Sequence, residues 1–138
     1  MLERIGASCA STSVDVSEHQ SIGWKAIKKF GTAEQKDHFL PRMATGEIRA
    51  AFSLSEPEVG SDVQGIKSTA KKDESSGDWI LDGQKMWVTN GLRSAVVFAL
   101  MKSDPKADPP HRGMTCFITE KAPGEHKNEG AFAGLEVP

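Results

Sequence analysis

The chain has 138 residues, enough for one small domain or pieces of two, and an apolar content of 38% allows only a modest core. Its 17 basic and 19 acidic residues are interspersed and leave a net charge of −2, which excludes a broad basic field for nucleic acid and a polybasic membrane patch. No apolar run reaches membrane-spanning length, no N-terminal stretch reads as a secretory signal, and Cys9 and Cys116 stand too far apart for a CxxC motif, so both are read as reduced thiols.

Up to residue 48 the pattern is helical. Val14, Val16, His19, Ile22, Ala26 and Ile27 approximate one helix face, Phe30 closes the segment, and Gly31 ends it. The KAIKK run at 25–29 is read as a solvated face of that helix. Thr32-Ala-Glu-Gln35 has the spacing of a capping box, in which the Thr hydroxyl accepts from an early backbone N–H and Gln35 reaches back. Phe39, Leu40 and Met43 form a short apolar stripe, Pro41 weakens the helix or ends it early, and Gly46 is its stop. The expectation is a helical hairpin.

Beyond residue 48 the pattern turns to strands. Arg49–Leu54 and Gln64–Lys71 are strand candidates. Trp79–Leu81 and Gln84–Thr89 flank Asp82-Gly83, a pair suited to a two-residue type I′ hairpin turn, and Asn90-Gly91 marks a second turn. Ala95–Met101 reads as a buried strand, Asp104–Pro110 as a loop, Met114–Thr119 as a strand and Pro123–Gly130 as an irregular loop. The predicted class is α+β: a short helical hairpin over 1–48, then an antiparallel β-barrel or sandwich over 49–138. The chain stops at Pro138 in what reads as mid-sheet, which would leave an unpaired edge.

Two stretches invite a functional reading. In LSEPEVGSD, residues 54–62, Pro57 restricts the chain, Gly60 permits close backbone approach, and Ser55 and Ser61 bring hydroxyls. Such a loop can aim N–H groups and hydroxyls at an acceptor-rich ligand. It can equally be a connecting turn, which composition alone favours, because Ser, Pro, Gly and Asp are default turn residues. Trp87 and Thr89 stand two apart, so on a strand they share a face that suits a flat heterocycle; a core Trp beside a β-favouring Thr is the competing reading.

Other chemistry is not indicated. Glu56 and Glu58 are two apart beside a proline and do not make an acid/base pair; solvated or loop-stabilising roles suit them better. His19, His38, His111 and His126 are scattered, with no HExxH spacing, so no metal site is expected. Neither GxGxxG nor GxxxxGK[ST] occurs.

Taken in order, AAFSLSEPEVGSD, GIKSTA and GDWILDGQKMWVTNG resemble the middle region of the acyl-CoA dehydrogenase family. FGTAEQKDHFLPRMATGE is similar to the helical segment before that signature, and FITEKAPG to a later β-domain strand and turn. The resemblance implies an FAD site. By matching positions, Phe52, Leu54, Ser55, Gly60, Ser61, Trp87, Val88 and Thr89 would hold the flavin, and Ser61 would also meet the acyl-CoA. Phe52 stands where the family often has Tyr and so offers no hydroxyl; Ser55 often replaces Thr and keeps one.

The implied reaction is α,β-dehydrogenation of an acyl-CoA thioester with hydride transfer to FAD. No residue here matches the family's catalytic base, a Glu usually in the C-terminal helical domain. The expectation is therefore a fragment, inactive alone: residues 1–48 the end of the N-terminal helical domain, 49–138 an incomplete middle β-domain. The implied partners are an acyl-CoA and an electron-transfer flavoprotein, and the parent would be a homodimer or homotetramer. Its location would be cytoplasmic in a bacterium or the mitochondrial matrix in a eukaryote. An acyl-CoA oxidase or flavin monooxygenase of the same fold, or a non-catalytic remnant, stand as alternatives.

Overall fold

The computed structural model describes residues 1–19, 21–126, 129–130 and 134–136, and for His19 the backbone alone. Two residues of the predicted loop at 123–130, the His19 side chain and the final two residues of the predicted mid-sheet end lie outside that description.

Four helices come first: α1 (Leu2–Ser8), α2 (Ala10–His19), α3 (Trp24–Phe30) and α4 (Ala33–Ala44). The predicted single helix over 14–30 is two helices, and α1 was not foreseen. The break has a steric cause. Gly23 is left-handed at φ 79, and a Cβ there would lie 2.5 Å from Ala50 Cβ and 2.7 Å from Phe98 Cε2. The chain turns where α3 presses closest to the sheet, at a residue with no side chain to obstruct it.

The capping box forms as its spacing implies: the Gln35 amide donates to Thr32 Oγ1 at 3.2 Å, and the Thr32 amide donates to Gln35 Oε1 at 3.0 Å. Pro41 does not end α4, which continues to Ala44, with Gly46 left-handed beyond it. Lys25, Lys28 and Lys29 are exposed on α3 while Ile27 is buried, so the basic run is a solvated face.

The strands are β1 (Ala50–Ser53), β2 (Thr69–Lys72), β3 (Trp79–Asp82), β4 (Val96–Lys102) and β5 (Met114–Glu120). β4 is the centre. It pairs antiparallel with β5 along its whole length, from Val96↔Glu120 to Lys102↔Met114. Along its other edge run β1, parallel over Ala50↔Val96 to Ser53↔Ala99, and then β2, parallel at Thr69↔Lys102. β3 completes an antiparallel hairpin with β2.

The class is α+β, but the sheet is mixed and open, not an antiparallel barrel or sandwich. Alternation along a strand fixes which side chains share a face and carries no information on strand direction. The parallel pairing of β1 with β4 is made by a long connection, and that connection carries the candidate loop.

α3 and α4 sit on one face of the sheet. Ile27, Phe39, Met43 and Ile48 form one buried cluster with Val96 and Phe98 of β4; Trp24, Leu40, Ala50 and Ile118 pack against it. Phe98 is 1% exposed and stands in register with Phe52 and Ile118. Phe98→Ala is expected to lower stability by about 3–5 kcal/mol in urea unfolding. Gly23→Ala should also destabilise, since the Cβ has no room and the backbone is left-handed. An unchanged urea midpoint for Gly23→Ala would contradict this seating of α3.

Candidate functional site

β1 and β2 occupy one edge of β4 in succession. Their partners Ala99 and Lys102 are close in sequence, whereas Ser53 and Thr69 are separated by the whole stretch 54–68. That stretch, which contains LSEPEVGSD, is an excursion thrown out from a sheet edge and brought back to it. Its first turn closes on itself through Glu56 N to Val59 O at 2.8 Å and Val59 N to Glu56 O at 3.1 Å.

The second predicted stretch comes to the first, but not as a strand. Gln84–Thr89 is irregular, so no hairpin forms at Asp82-Gly83. Gly83 is required for another reason: at φ 145 it passes so close to Ser68 that any Cβ would collide with the Ser68 side chain. The residues after it cross to the excursion. The Met86 amide donates to the Ser55 carbonyl at 2.8 Å, and Lys85 Nζ donates to the Leu54 carbonyl at 3.2 Å and to Glu56 Oε1 at 2.8 Å.

Glu56 holds this junction. It is 7% exposed, and besides Lys85 it accepts from the Lys67 amide at 2.6 Å and the Ser68 amide at 3.1 Å. One carboxylate thus ties together the outgoing limb, the returning limb and the segment leading to Trp87. Burial pushes its pKa up, but the Lys85 ammonium and the amide donors outweigh burial and bring it down from 4.5 to about 2. Glu56 is therefore an ionised fastener, the loop-stabilising of the two roles open to it. Glu58 is exposed and pairs with Lys67, which lowers its carboxyl and raises the lysine. Lys85 was missed. It stands between Gln84 and Met86 within GDWILDGQKMWVTNG, and nothing in that spacing says that it points inward.

Trp87 follows directly. Its backbone is left-handed at φ 59, uncommon for a bulky side chain, and its ring is 85% exposed. The hydrogen bond at Met86 on one side and the turn Gly91 N to Val88 O, 2.9 Å, on the other hold it there. Asn90 is also left-handed at φ 61, and Ser94 N bonds to its carbonyl at 2.8 Å, so Asn90-Gly91 is a turn as predicted. From behind, buried Lys121 supports that turn through Nζ to Leu92 O at 2.7 Å; burial pushes its ammonium pKa down.

The shared strand face for Trp87 and Thr89 is not realised, because the two are not on a strand. Thr89 is exposed and donates to Glu18 Oε1 of α2 at 3.4 Å. Val88 is half-buried in the turn. Phe52 sits on β1 at 37% exposure, on the opposite face from buried Ala51 and Ser53. Leu54 and Ser55 are half-buried and meet Lys85 and Met86 through their carbonyls. Ser61 is exposed, and among the described residues no hydrogen bond joins Gly60 or Ser61 to residues 85–89.

Gly60 has a distinct signature. Every other glycine either is left-handed or would bring a Cβ within 4 Å of a neighbour, whereas Gly60 is not left-handed and a Cβ there meets nothing. The fold itself does not require glycine at this place. A glycine there leaves room for close approach of another molecule. The residues present suit a flavin on the same terms: an exposed indole plane at Trp87 and hydroxyls at Ser55, Ser61 and Thr89. Among the described residues, no cluster of His, Cys, Asp and Glu could hold a metal ion, and no helix is long and apolar enough to cross a membrane.

Comparison with known proteins identifies the chain. Residues 51–132 match the acyl-CoA dehydrogenase middle domain, and residues 1–47 match the acyl-CoA dehydrogenase N-terminal domain. The long-chain specific acyl-CoA dehydrogenase of Sus scrofa mitochondria is 39% identical over 109 residues, 79% of this chain and 25% of the relative. An acyl-CoA dehydrogenase from Geobacillus kaustophilus superposes with a TM-score of 0.72 at 38% identity, covering 86% of this chain and 30% of that one. A glutaryl-CoA dehydrogenase from Mycobacterium smegmatis in complex with FADH2 gives 0.60 at 37% identity, covering 69% and 22%. The chain belongs to the acyl-CoA dehydrogenase family, and it spans about a quarter of the length of the curated relatives it matches.

Lys85→Met would leave the Glu56 carboxylate buried without its cation, at an expected cost of about 3–5 kcal/mol. The acid dependence has a definite sign. Because the folded pKa of Glu56 is depressed to about 2 from 4.5, its stabilisation, of order 3 kcal/mol, is complete above pH 4.5 and is lost as pH falls towards 2. Urea unfolding between pH 6 and 2 should therefore show a stability decline that is much shallower in Glu56→Gln. Equal slopes in the two proteins would contradict the burial of an ionised Glu56.

Proposed function

We propose that this chain forms one wall of the FAD site of an acyl-CoA dehydrogenase that removes hydrogen from the α and β carbons of an acyl-CoA thioester. The observation that carries the reading is Trp87: a left-handed backbone, fastened to the excursion at Met86, presenting an indole ring that is 85% exposed. Large aromatic rings left in water beside a loop of hydroxyls are characteristic of a surface completed by a flat ligand.

In this reading Phe52, Leu54, Ser55, Gly60, Ser61, Trp87, Val88 and Thr89 hold the flavin, and Ser61 also meets the acyl-CoA. When bound, FAD supplies the hydride acceptor. The chain's own residues orient and shield. Trp87 offers stacking area, Ser55 and Thr89 offer hydroxyls to the ring's polar edge, and Gly60 leaves room for close approach. Glu56 and Lys85 stay out of the chemistry and keep the two segments in register.

The α proton needs a base, and neither Glu56 nor Glu58 suits the task. Glu56 is held near pKa 2 by its donors, and Glu58 is paired with Lys67. The base is therefore assigned to a part of the enzyme outside this chain, and the isolated chain is expected to show no acyl-CoA turnover. Residues 1–48 are read as the end of the helical domain and 49–138 as an incomplete β-domain. An electron-transfer flavoprotein is the proposed electron acceptor, and a homodimer or homotetramer the proposed assembly.

Titration of the chain with FAD, followed by flavin fluorescence, tests the reading. Binding is expected, and Trp87→Ala should weaken it by about tenfold, the worth of one aromatic stacking contact of 1–1.5 kcal/mol. Equal affinity in Trp87→Ala, or no binding by the parent chain, would count against it.

A further inference from the structure

A lysine stands on either side of the segment that carries Trp87. In front, Lys85 pairs with Glu56, and the Met86 amide donates to the Ser55 carbonyl. Behind, Lys121 is 8% exposed and its Nζ donates to the Leu92 carbonyl at 2.7 Å and to the Ala122 carbonyl at 3.0 Å. The Lys121 amide itself donates to the Ala95 carbonyl at 3.0 Å, so the side chain reaches Leu92 from a backbone tied to the residue before β4. From there backbone bonds lead back to the ring: Ser94 N to Asn90 O at 2.8 Å, then Gly91 N to Val88 O at 2.9 Å.

The Trp87 ring is 85% exposed, and among the described residues no ring or cation packs against it, so the backbone sets where it points. That backbone is left-handed at Trp87 and again at Asn90, a conformation that side chains other than glycine adopt when surrounding bonds impose it. We infer that Lys121 is a positioning residue that holds the rear end of this segment and thereby aims the Trp87 ring. Its bearing on the cofactor rests on the flavin reading above; its bearing on the ring does not.

A lysine suits this task better than it suits general stability. Lys85 has a carboxylate to offset its desolvation, whereas among the described residues no ion pair includes Lys121. An unpaired buried cation is costly, and an apolar residue of similar length in its place is often neutral or stabilising. The acceptors that Lys121→Met would release have other partners within reach. Leu92 O keeps the Gly124 amide at 3.0 Å, and Ala122 is exposed to water. A strut kept for stability and a strut kept for aim therefore predict different outcomes when the ammonium is removed.

The test compares the whole chain with Lys121→Met, both carrying fluorine-labelled tryptophan, by fluorine NMR, urea unfolding and FAD titration. Trp87→Phe assigns the Trp87 resonance. In Lys121→Met the urea midpoint should be unchanged or raised, and the Trp87 resonance should shift and narrow while those of Trp24 and Trp79 stay in place. FAD affinity should fall by about threefold to tenfold, the worth of one hydrogen bond. In Trp87→Ala, Lys121→Met should have no further effect on FAD affinity, as expected of two residues acting as one unit. A lowered urea midpoint or an unmoved Trp87 resonance overturns the inference. A moved resonance with unchanged FAD affinity overturns the part Lys121 takes in cofactor binding. If FAD does not bind the parent chain, the flavin reading fails, and the Trp87 resonance still decides whether Lys121 aims the ring.

Discussion

The buried pairing of Glu56 with Lys85 is the constraint on which the site depends. A sheet edge that interrupts itself between Ser53 and Thr69 must send out a loop and recover it, and a loop rich in Ser, Glu and Gly has little apolar area with which to hold its shape. One carboxylate does what a core does elsewhere. It accepts from two amides on the returning limb and from a lysine that also grips the outgoing limb at Leu54. Each partner satisfies another's desolvation, so removal of any one leaves a buried charge or donor without compensation. Because Lys85 stands two residues before Trp87, the same fastener sets where the aromatic ring emerges.

The rest of the fold supplies a rigid support for that junction. β4 is paired on both edges and carries Val96 and Phe98 into the helical layer, so the edge from which the excursion departs cannot move independently of the helices. Gly23 brings α3 against Phe98 and Ala50, and α2 delivers Glu18 to Thr89. The helices therefore meet the sheet through packing and the candidate site through a hydrogen bond.

Much of this was legible in the sequence, and the failures have physical causes. The capping box at Thr32–Gln35, the strands at β1, β3, β4 and β5, and the turn at Asn90-Gly91 depend on local chemistry, which a short window carries. The break at Gly23 was hidden because it answers to Phe98 and Ala50, contacts made only in the fold. Asp82-Gly83 has the composition of a hairpin turn, but its glycine serves a close passage by Ser68. Gln84–Thr89 alternates well enough for a strand, yet the Met86–Ser55 bond and the left-handed Trp87 draw it away from the sheet. The site residues followed from family resemblance, not from periodicity. Spacing alone could not reveal Glu56 as a buried fastener, since acidic residues beside a proline are ordinarily solvated.

Amide hydrogen exchange of the parent chain and of Lys85→Met tests the central claim most directly. If the Glu56–Lys85 pair fastens the junction, the Lys67, Ser68 and Met86 amides should lose protection together in the variant, while β4 amides around Phe98 keep theirs. Retained protection at Lys67, Ser68 and Met86, or uniform loss across β4 as well, would contradict a local clasp and leave the shape of the excursion to be explained by something else.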